Sequence, residues 1–181
     1  MKKLKPYKYQ KKGIEKILDF DMKALLADEM GLGKSCQALL AAKKKGIRKI
    51  VIICPASLEW NWVNEVKMWM KRPSSVLSKK TPTAKERLDL RKQEILIINY
   101  DILGYPKTKN GWVRYLRNVF KPELIIVDES HHIKNRETQR CAAGKYLAKK
   151  TPYQIYTTGT PITSTPVDLF PILHNLHPDL F

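Results

Sequence analysis

Apolar residues in this chain form short continuous runs separated by stretches with helical spacing. Each run is apolar at successive positions, which is typical of strands buried on both faces of a parallel sheet. The runs predict strands at Ala24–Ala27, Ile50–Cys54, Ile95–Ile98, Leu124–Val127 and Gln154–Thr157, with a weaker strand at Val76–Leu77. A sheet with a helix after most of its strands is therefore expected.

Between the strands, apolar residues recur three and four positions apart, as they do on one face of a helix. The first helix is predicted within Leu4–Asp19, after a basic loop, and the second runs from a glycine loop through Ala42 to its end at Gly46. Of the four later helices, the first has an apolar face of Leu58, Trp62, Val66 and Trp69, and the second begins at a Thr83/Glu86 capping box and runs to about Lys92. The third has an apolar face of Trp112, Tyr115, Leu116 and Val119, and the fourth ends near Leu176. Alternating strands and helices predict an α/β fold with a parallel sheet.

Polar or glycine-containing loops follow four of the apolar strands. The carboxyl ends of parallel strands lie along one edge of a sheet, and that edge is where open α/β sheets bind ligands. Residues that bind a ligand or take part in catalysis are therefore expected in these loops.

The composition adds a strong positive charge to this picture. The 181 residues include 34 Lys and Arg against 17 Asp and Glu, which gives a net charge of +17. Such an excess favours a nucleic-acid partner over a role in solubility alone, although charge does not distinguish DNA from RNA. The length predicts one domain over residues 1–181.

Cys36, Cys54 and Cys141 are widely spaced and form neither a metal-ligand pattern nor an even-numbered disulfide framework. This use of cysteine indicates a reducing, intracellular setting, which would be the cytoplasm in a bacterium or phage and the nucleus in a eukaryote. No apolar run approaches the ~20 residues that span a membrane, so no membrane association is expected.

The segment Gly31–Ser35 reads GLGKS and lies between a predicted strand and a predicted helix. Glycines allow backbone N–H groups to turn towards a phosphate at a helix N-terminus. Lys34 can then reach the β- and γ-phosphates, and Ser35 can offer its hydroxyl to Mg²⁺. Asp28 stands where the strict phosphate-loop pattern has its first glycine, so a simply capped helix start is the alternative for this segment alone.

Two adjacent acids, Asp128 and Glu129, follow directly on the buried strand Leu124–Val127. Neighbouring carboxylates at a strand end repel each other and lose hydration, which a purely structural role does not explain. Beside a metal they do make sense, because Asp128 can hold Mg²⁺ and Glu129 can orient and polarise an attacking water.

The tetrapeptide Thr158–Pro161 reads TGTP and follows the last predicted strand. Alone it would be interpreted as a plain turn. With the other two motifs it is expected to couple neighbouring parts of a nucleotide site.

With these motifs in place, the chain resembles the Swi/Snf-type helicase-like ATPases over almost its whole length. The resemblance rests on six segments: YQKKG at residues 9–13, ADEMGLGKS at 27–35, CPASL with Asn61, Trp62, Glu65 and Trp69 at 54–69, NYD at 99–101, DESHHIKN at 128–135 and TGTP at 158–161. It implies a three-layer αβα, RecA-like lobe with a phosphate loop, which is the helicase ATP-binding lobe of a double-stranded-DNA translocase.

The resemblance also implies a role for each matching residue. ATP would be bound by Gln10, which contacts adenine, and by Met30, Gly31, Leu32, Gly33, Lys34 and Ser35. Ser35 and Asp128 would hold Mg²⁺, while Asp128, Glu129 and Lys34 would be catalytic. His131 would link the acid pair to Thr158 or Thr160, and the DNA backbone would be contacted near Pro55, Ala56, Ser57, Asn99 and Tyr100.

The chain departs from the family pattern in three ways. Ser164 stands where the family usually has Asn, and Pro171 is expected to kink the last helix. No segment resembles the second lobe of these motors, whose arginines reach the γ-phosphate across the cleft. A second RecA-like lobe is therefore expected as a partner, in the same polypeptide or as a separate chain, and this lobe alone is expected to be nearly inactive.

Two other functions stay open at this point: a lobe of a helicase that separates DNA or RNA strands, and a non-catalytic module that binds nucleotide or DNA. Trp60, Trp62 and Trp69 are open to two interpretations as well, base stacking or core packing. The apolar helical face on which Trp62 and Trp69 lie favours the core for those two.

Overall fold

The computed structural model describes residues 5–79, 81, 83–109, 111–133, 138–160 and 169–180. Its strands are β1 (Lys23–Leu26), β2 (Ile50–Cys54), β3 (Ser75–Leu77), β4 (Ile95–Asn99), β5 (Leu124–Val127) and β6 (Tyr153–Thr157). They form one parallel sheet in the order β1-β6-β5-β2-β4-β3. All six predicted strands are confirmed, including the weak one.

The helices of the described residues are α1 (Lys8–Asp19), α2 (Lys34–Lys45), α3 (Glu59–Glu65), α4 (Ala84–Leu90), α5 (Tyr100–Leu103), α6 (Trp112–Tyr115), α7 (Gln139–Ala148) and α8 (Phe170–Leu176). The predicted capping box of α4 is present, because Thr83 Oγ1 accepts from the Glu86 amide and the Glu86 carboxylate accepts from the Thr83 amide. None of the described helices is long and apolar enough to cross a bilayer.

Helices cover both faces of the sheet. Side chains of β2 alternate between the faces, so Ile50 and Ile52 pack with α1, α2 and α3, while Val51 and Ile53 pack with α5, α6, α7 and α8. All five residues of β2 are buried. This arrangement confirms the three-layer αβα fold and explains why the central strands are apolar at every position.

The predicted helix from Leu58 to Trp69 is less regular than expected. It opens with a 3-10 turn at Ala56–Leu58, continues as α3, and ends in a π-helical turn at Val66–Met70. Lys71 then closes it in the left-handed region with a φ of 57°. The wider turn keeps Val66 and Met70 buried on one face although the helix is about to end.

The predicted kink at Pro171 is wrong. Helix α8 begins at Phe170, so Pro171 occupies its first turn. The N–H groups of the first helical turn have no carbonyl partner within the helix, so a proline at this position costs no hydrogen bond. Its fixed φ also suits the start of a helix. Ser164 lies outside the described residues.

A candidate nucleotide site at the carboxyl edge of the sheet

The GLGKS segment forms a loop between β1 and α2. Gly31 and Gly33 have φ angles of 83° and 74°, a region that glycine enters without steric cost. A Cβ atom on Gly33 would lie 2.3 Å from Nε2 of Gln10, so the loop and α1 also require a glycine there to pack closely. Helix α2, twelve residues long, starts at Lys34 directly after Gly33. The free N–H groups of its first turn therefore point towards the loop.

Gln10 braces this loop from α1. Its side chain is 6% exposed, and its Nε2 donates to the carbonyl oxygen of Leu32 at 3.2 Å. The Tyr7 amide donates to Oε1 of the same side chain at 2.9 Å. The amide of Gln10 is therefore fixed beside the loop, and its contact with adenine stays a prediction.

Lys34 lies across the mouth of the loop. Its ammonium Nζ donates to the carbonyl oxygens of Asp28 at 2.8 Å and Glu29 at 3.0 Å. Both acceptors are neutral, and a hydrogen bond to an anion is roughly twice as strong. A phosphate bound in the loop would therefore compete well for this ammonium.

Asp28, which replaces the first glycine of the strict pattern, is anchored to α2. Its Oδ2 accepts from Nε2 of Gln37 at 3.1 Å. A Cβ on Gly13 would lie 1.9 Å from Oε1 of Gln37, so a larger residue there would displace the Gln37 amide that bonds to Asp28. The departure at Asp28 thus has a structural role, because it ties the start of the loop to the helix behind it.

The carboxylate of Asp128 is held by three donors at the end of β5. Oδ1 accepts from Thr157 Oγ1 at 2.6 Å and from the Glu129 amide at 3.0 Å, and Oδ2 accepts from Trp62 Nε1 at 2.8 Å. Hydrogen bonds of this kind orient a ligating carboxylate and reduce its freedom. Trp62 is buried at 2% exposure, as its helical face predicted, but the sequence contained no signal for its contact with Asp128.

Glu129 has a φ of 47°, a left-handed conformation that is uncommon for a residue other than glycine. Strained residues of this kind cluster at functional sites, where the surrounding structure holds them in place. Oε2 of Glu129 lies 3.2 Å from Nδ1 of His131. The turn therefore directs Glu129 away from the line of β5 and against the histidine.

The TGTP residues link the phosphate loop to the acid pair. Strand β6 lies between β1 and β5, and the amide of Thr158 donates to the carbonyl of Leu26 at 3.1 Å. Oγ1 of Thr158 lies 3.4 Å from Nδ1 of His131 and accepts from the Thr160 amide at 3.1 Å. Of the two threonines considered for the link to His131, the structure thus brings Thr158 into contact.

Met30 lies over the TGTP turn. A Cβ on Gly159 would be 2.8 Å from Cγ of Met30, so this glycine leaves space for the loop residue above it. Met30 is nevertheless 77% exposed. The phosphate loop and the turn after β6 are therefore in direct contact, with one face of Met30 open to solvent.

The expected DNA segments differ in accessibility. Ala56 and Ser57 are exposed and Pro55 is half-buried, directly after β2. Tyr100 is 5% exposed and its hydroxyl donates to the carbonyl of Asp128 at 2.5 Å, so a DNA contact from its side chain does not fit the structure. Asn99 is engaged locally, because its Nδ2 donates to Glu59 Oε1 at 2.8 Å.

Arg140 on α7 joins the segment after β4 to the segment that follows the acid pair, and no motif in the sequence pointed to it. Its Nη2 donates to Oδ1 of Asp101 at 2.6 Å, and its Nη1 lies 3.4 Å from Nδ1 of His132. Burial, followed by the neighbouring His131 and Arg140, lowers the pKa of His132, which favours the neutral form of its ring. No spacing rule relates Arg140 to Asp101, because only the fold brings α7 beside α5.

The described residues contain no group of three or more His, Cys, Asp or Glu that could hold a metal ion. Mg²⁺ does not require one, since it commonly binds through one or two carboxylates together with substrate phosphates and water. The oriented carboxylate of Asp128 and the half-buried Ser35 fit that mode of binding.

A glycine loop with a lysine at a helix start, an oriented acid pair and a threonine-rich turn between them define a phosphate-loop nucleotide-binding lobe. Residues 9–181 match the model of the SNF2-related domain family. The chain belongs to this family, which confirms the resemblance found in its motifs.

Similar proteins agree with this assignment. The chain is 30% identical to the SWI/SNF-related matrix-associated actin-dependent regulator of chromatin subfamily A-like protein 1 of Xenopus tropicalis, over 96% of this chain and 17% of that protein. It is 32% identical to the DNA annealing helicase and endonuclease ZRANB3 of Bos taurus, over 96% of this chain and 16% of that protein. The chain therefore spans about a sixth of the length of these relatives.

Among solved structures, the chain is similar to the Sulfolobus solfataricus SWI2/SNF2 ATPase core in complex with dsDNA. The TM-score is 0.76 at 29% sequence identity, and the match covers 99% of this chain and 39% of that one. The α/β architecture of this lobe is therefore shared with part of an ATPase core of the same family.

Proposed function

We propose that this chain is the ATP-binding lobe, over residues 1–181, of a DNA-dependent ATPase that moves along double-stranded DNA. One observation carries the proposal: the phosphate loop after β1, the acid pair after β5 and the threonine turn after β6 meet at one edge of the sheet. Family membership supports ATP as the nucleotide. A module that only binds nucleotide would not need the acid pair held in this way.

In this proposal each matching residue has one task. The loop amides from Met30 to Ser35 and the ammonium of Lys34 hold the phosphates, and Gln10 contacts adenine. Ser35 and Asp128 hold Mg²⁺, which when bound supplies positive charge to the phosphate oxygens. Glu129 positions the attacking water and accepts its proton, and His131 relays the state of this site to Thr158 and Thr160.

Duplex DNA is the polymer along which the ATPase is proposed to move. The net charge of +17 provides long-range attraction, and the exposed Ala56 and Ser57 offer a backbone contact beside the nucleotide site. The similar Sulfolobus core is described in complex with dsDNA, which supports a duplex rather than RNA. A second RecA-like lobe completes the motor and supplies arginine to the γ-phosphate.

Duplex DNA should bind this chain weakly, with little sequence preference and with an affinity that falls steeply as salt rises. Released counterions supply most of the driving force for such contacts, so the logarithm of the affinity should fall linearly with the logarithm of salt concentration. Fluorescence anisotropy with labelled duplexes of different sequence measures both properties. Tight binding that survives high salt, or strong preference for one sequence, would contradict the proposal.

The place of the contact is tested by Ser57→Glu, which sets a negative charge against the proposed DNA phosphate. Duplex affinity should fall by about tenfold or more, because like charges in contact repel strongly. Ser78→Glu is the matched control: Ser78 is also exposed and lies after β3, at the same edge but three strand positions from β5. Equal losses from both substitutions would mean that Ser57 is not a specific contact.

Lys34→Ala should weaken ATP binding by about tenfold to a hundredfold, which corresponds to one lost hydrogen bond between a cation and an anion. The fold should be retained, since the side chain bonds only to carbonyls at the mouth of the loop. Calorimetric titration of this chain with ATP and Mg²⁺ makes the measurement. Lys44→Ala, an exposed lysine on the same helix, is the control, and unchanged affinity in Lys34→Ala would remove Lys34 from the site.

A further inference from the structure

Trp60 is exposed to solvent although its neighbour in the motif is buried. Trp60 is 70% exposed, whereas Trp62 and Trp112 are each 2% exposed. The sequence allows either base stacking or core packing for the tryptophans of this segment. The structure assigns Trp62 to the core and leaves the indole of Trp60 with a large apolar surface in water, which is unfavourable unless a partner covers it.

The position of Trp60 places it beside the proposed DNA contact. It is the second residue of α3 and comes three residues after Ser57, about one helical turn further from the sheet edge. Glu59, the residue before it, accepts a hydrogen bond from Asn99 at 2.8 Å. The first turn of α3 is therefore fixed to the last residue of β4, and the exposed indole has a defined location.

The surroundings of Trp60 suit a nucleic acid better than a protein. The exposed residues that follow on this helix are Asn61, Asn64, Lys67 and Met68. Met68, at 46% exposure, is the only other large apolar side chain of the described segment 59–71 that is exposed, and it lies two turns away. One aromatic ring among amides and a lysine is not the contiguous apolar patch of a protein interface, whose centre is poor in lysine.

The charges near Trp60 are of both signs: two carboxylates on α3, which stay negative although neutral groups donate to them, and two exposed lysines. The two carboxylates of α3 are those of Glu59, which accepts from Asn99, and Glu65, which accepts from Trp69 Nε1 at 2.8 Å. Lys67 and Lys71 are exposed on the same helical segment. An aromatic platform with nearby cations is the combination that binds single-stranded nucleic acid.

We propose that Trp60 stacks on an unpaired nucleobase where duplex DNA adjoins a single strand. Inside a duplex the base faces are covered by their neighbours, so only an unpaired base offers a flat surface to the indole. This assignment rests on the proposed function, because it places the duplex at Ala56 and Ser57. It narrows the substrate to DNA that carries a junction between paired and unpaired strands.

The test compares three labelled DNAs that bind this chain: a blunt duplex, the same duplex with a single-stranded tail, and the same tailed duplex with abasic sites throughout the tail. The wild-type chain should bind the base-bearing tail about fivefold to a hundredfold more tightly than the abasic tail, since both carry the same phosphates. Tail binding should also quench the tryptophan fluorescence, because Trp60 is the most exposed of the four indoles.

Variants separate stacking from charge. Trp60→Ala should bind the base-bearing tail no more tightly than the abasic tail and should bind the blunt duplex as wild type does, and Trp60→Phe should keep part of the preference because its ring still stacks. Lys67→Ala should weaken binding to every DNA and lower the salt slope by about one, without removing the preference. Phe20→Ala, which removes another exposed aromatic ring at the end of α1, is the matched control and should behave as wild type.

The outcomes are distinct. Equal affinity of the wild type for base-bearing and abasic tails, or a preference that persists in Trp60→Ala, would overturn the assignment. So would a Trp60→Ala variant that weakens blunt-duplex binding as much as tailed binding. A wild type that prefers the base-bearing tail but fails to bind blunt duplex would contradict the proposed duplex contact and leave the assignment to Trp60 intact.

Discussion

Glu129→Gln is expected to leave ATP binding within a few-fold of wild type and to reduce turnover by about 10²–10⁴-fold. The amide has the size of the carboxylate and keeps the backbone of a residue whose φ is already 47°. It cannot accept a proton from water, however, so the positioned water loses its base. Phosphate release in the presence of duplex DNA, from a polypeptide that joins this lobe to a second one, makes the measurement.

A second isosteric change controls for the loss of negative charge alone. Glu65 accepts a hydrogen bond from Trp69 on the outer helix α3, so Glu65→Gln changes the net charge equally without touching the acid pair. It should hydrolyse ATP at nearly the wild-type rate. If Glu129→Gln also turned over ATP within a few-fold of wild type, the catalytic base would have to lie elsewhere.

The lobe alone is expected to hydrolyse ATP barely at all, and joining it to a second lobe should raise the rate by about 10³–10⁵-fold. This is the range in which an arginine at the γ-phosphate contributes in related phosphate-loop enzymes. Arg140, whose Nη1 lies 3.4 Å from Nδ1 of His132, is held by Asp101 at 2.6 Å. Because this ion pair holds Arg140 beside α5, Arg140 is not expected to replace the arginine that a second lobe supplies to the γ-phosphate.

Duplex DNA should not rescue the lobe alone. In two-lobe motors the site is completed by closure of one lobe against the other, and a single lobe has no cleft to close. A phosphate-release assay on the purified chain, with and without duplex, tests this expectation. Strong DNA-stimulated turnover that disappears in Glu129→Gln would show that the chain completes its own site, by self-association or by an arginine acting in place of the second lobe.

Much of the fold and of the nucleotide site could be predicted because the relevant signals are local. Strand β2 is apolar at all five positions since both of its faces are covered, and this leaves a continuous run that is visible in the sequence. The phosphate loop is similarly local, because Gly31 and Gly33 adopt positive φ angles and Lys34 begins the next helix. The residues of each motif are consecutive in the chain, so the functional groups of the site could be recognised from the sequence.

Contacts between distant segments could not be predicted in the same way. Trp62 was interpreted as core on the strength of its helical face, and burial at 2% confirms that, yet its indole N–H also holds Asp128, which is sixty-six residues away. A DNA contact was expected near Tyr100 because it matches a family segment, but no local signal showed that its side chain is buried and donates to the Asp128 carbonyl. The periodicity of a sequence shows which face of a helix or strand is apolar. It contains no information about which atoms of other elements a given side chain contacts.

The sequence by itself determined the α/β class, the strands, the glycine loop, the acid pair and the family, because each is encoded in neighbouring residues. The tertiary structure alone decided the strand order, which inserts β6 between β1 and β5 and so places Thr157 against Asp128 and Thr158 against His131. It also decided that the indole of the buried Trp62 donates to Asp128 and that the indole of Trp60 stays exposed. The physical reason is that strand order and side-chain contacts depend on packing between elements far apart in the chain, where no local spacing records them.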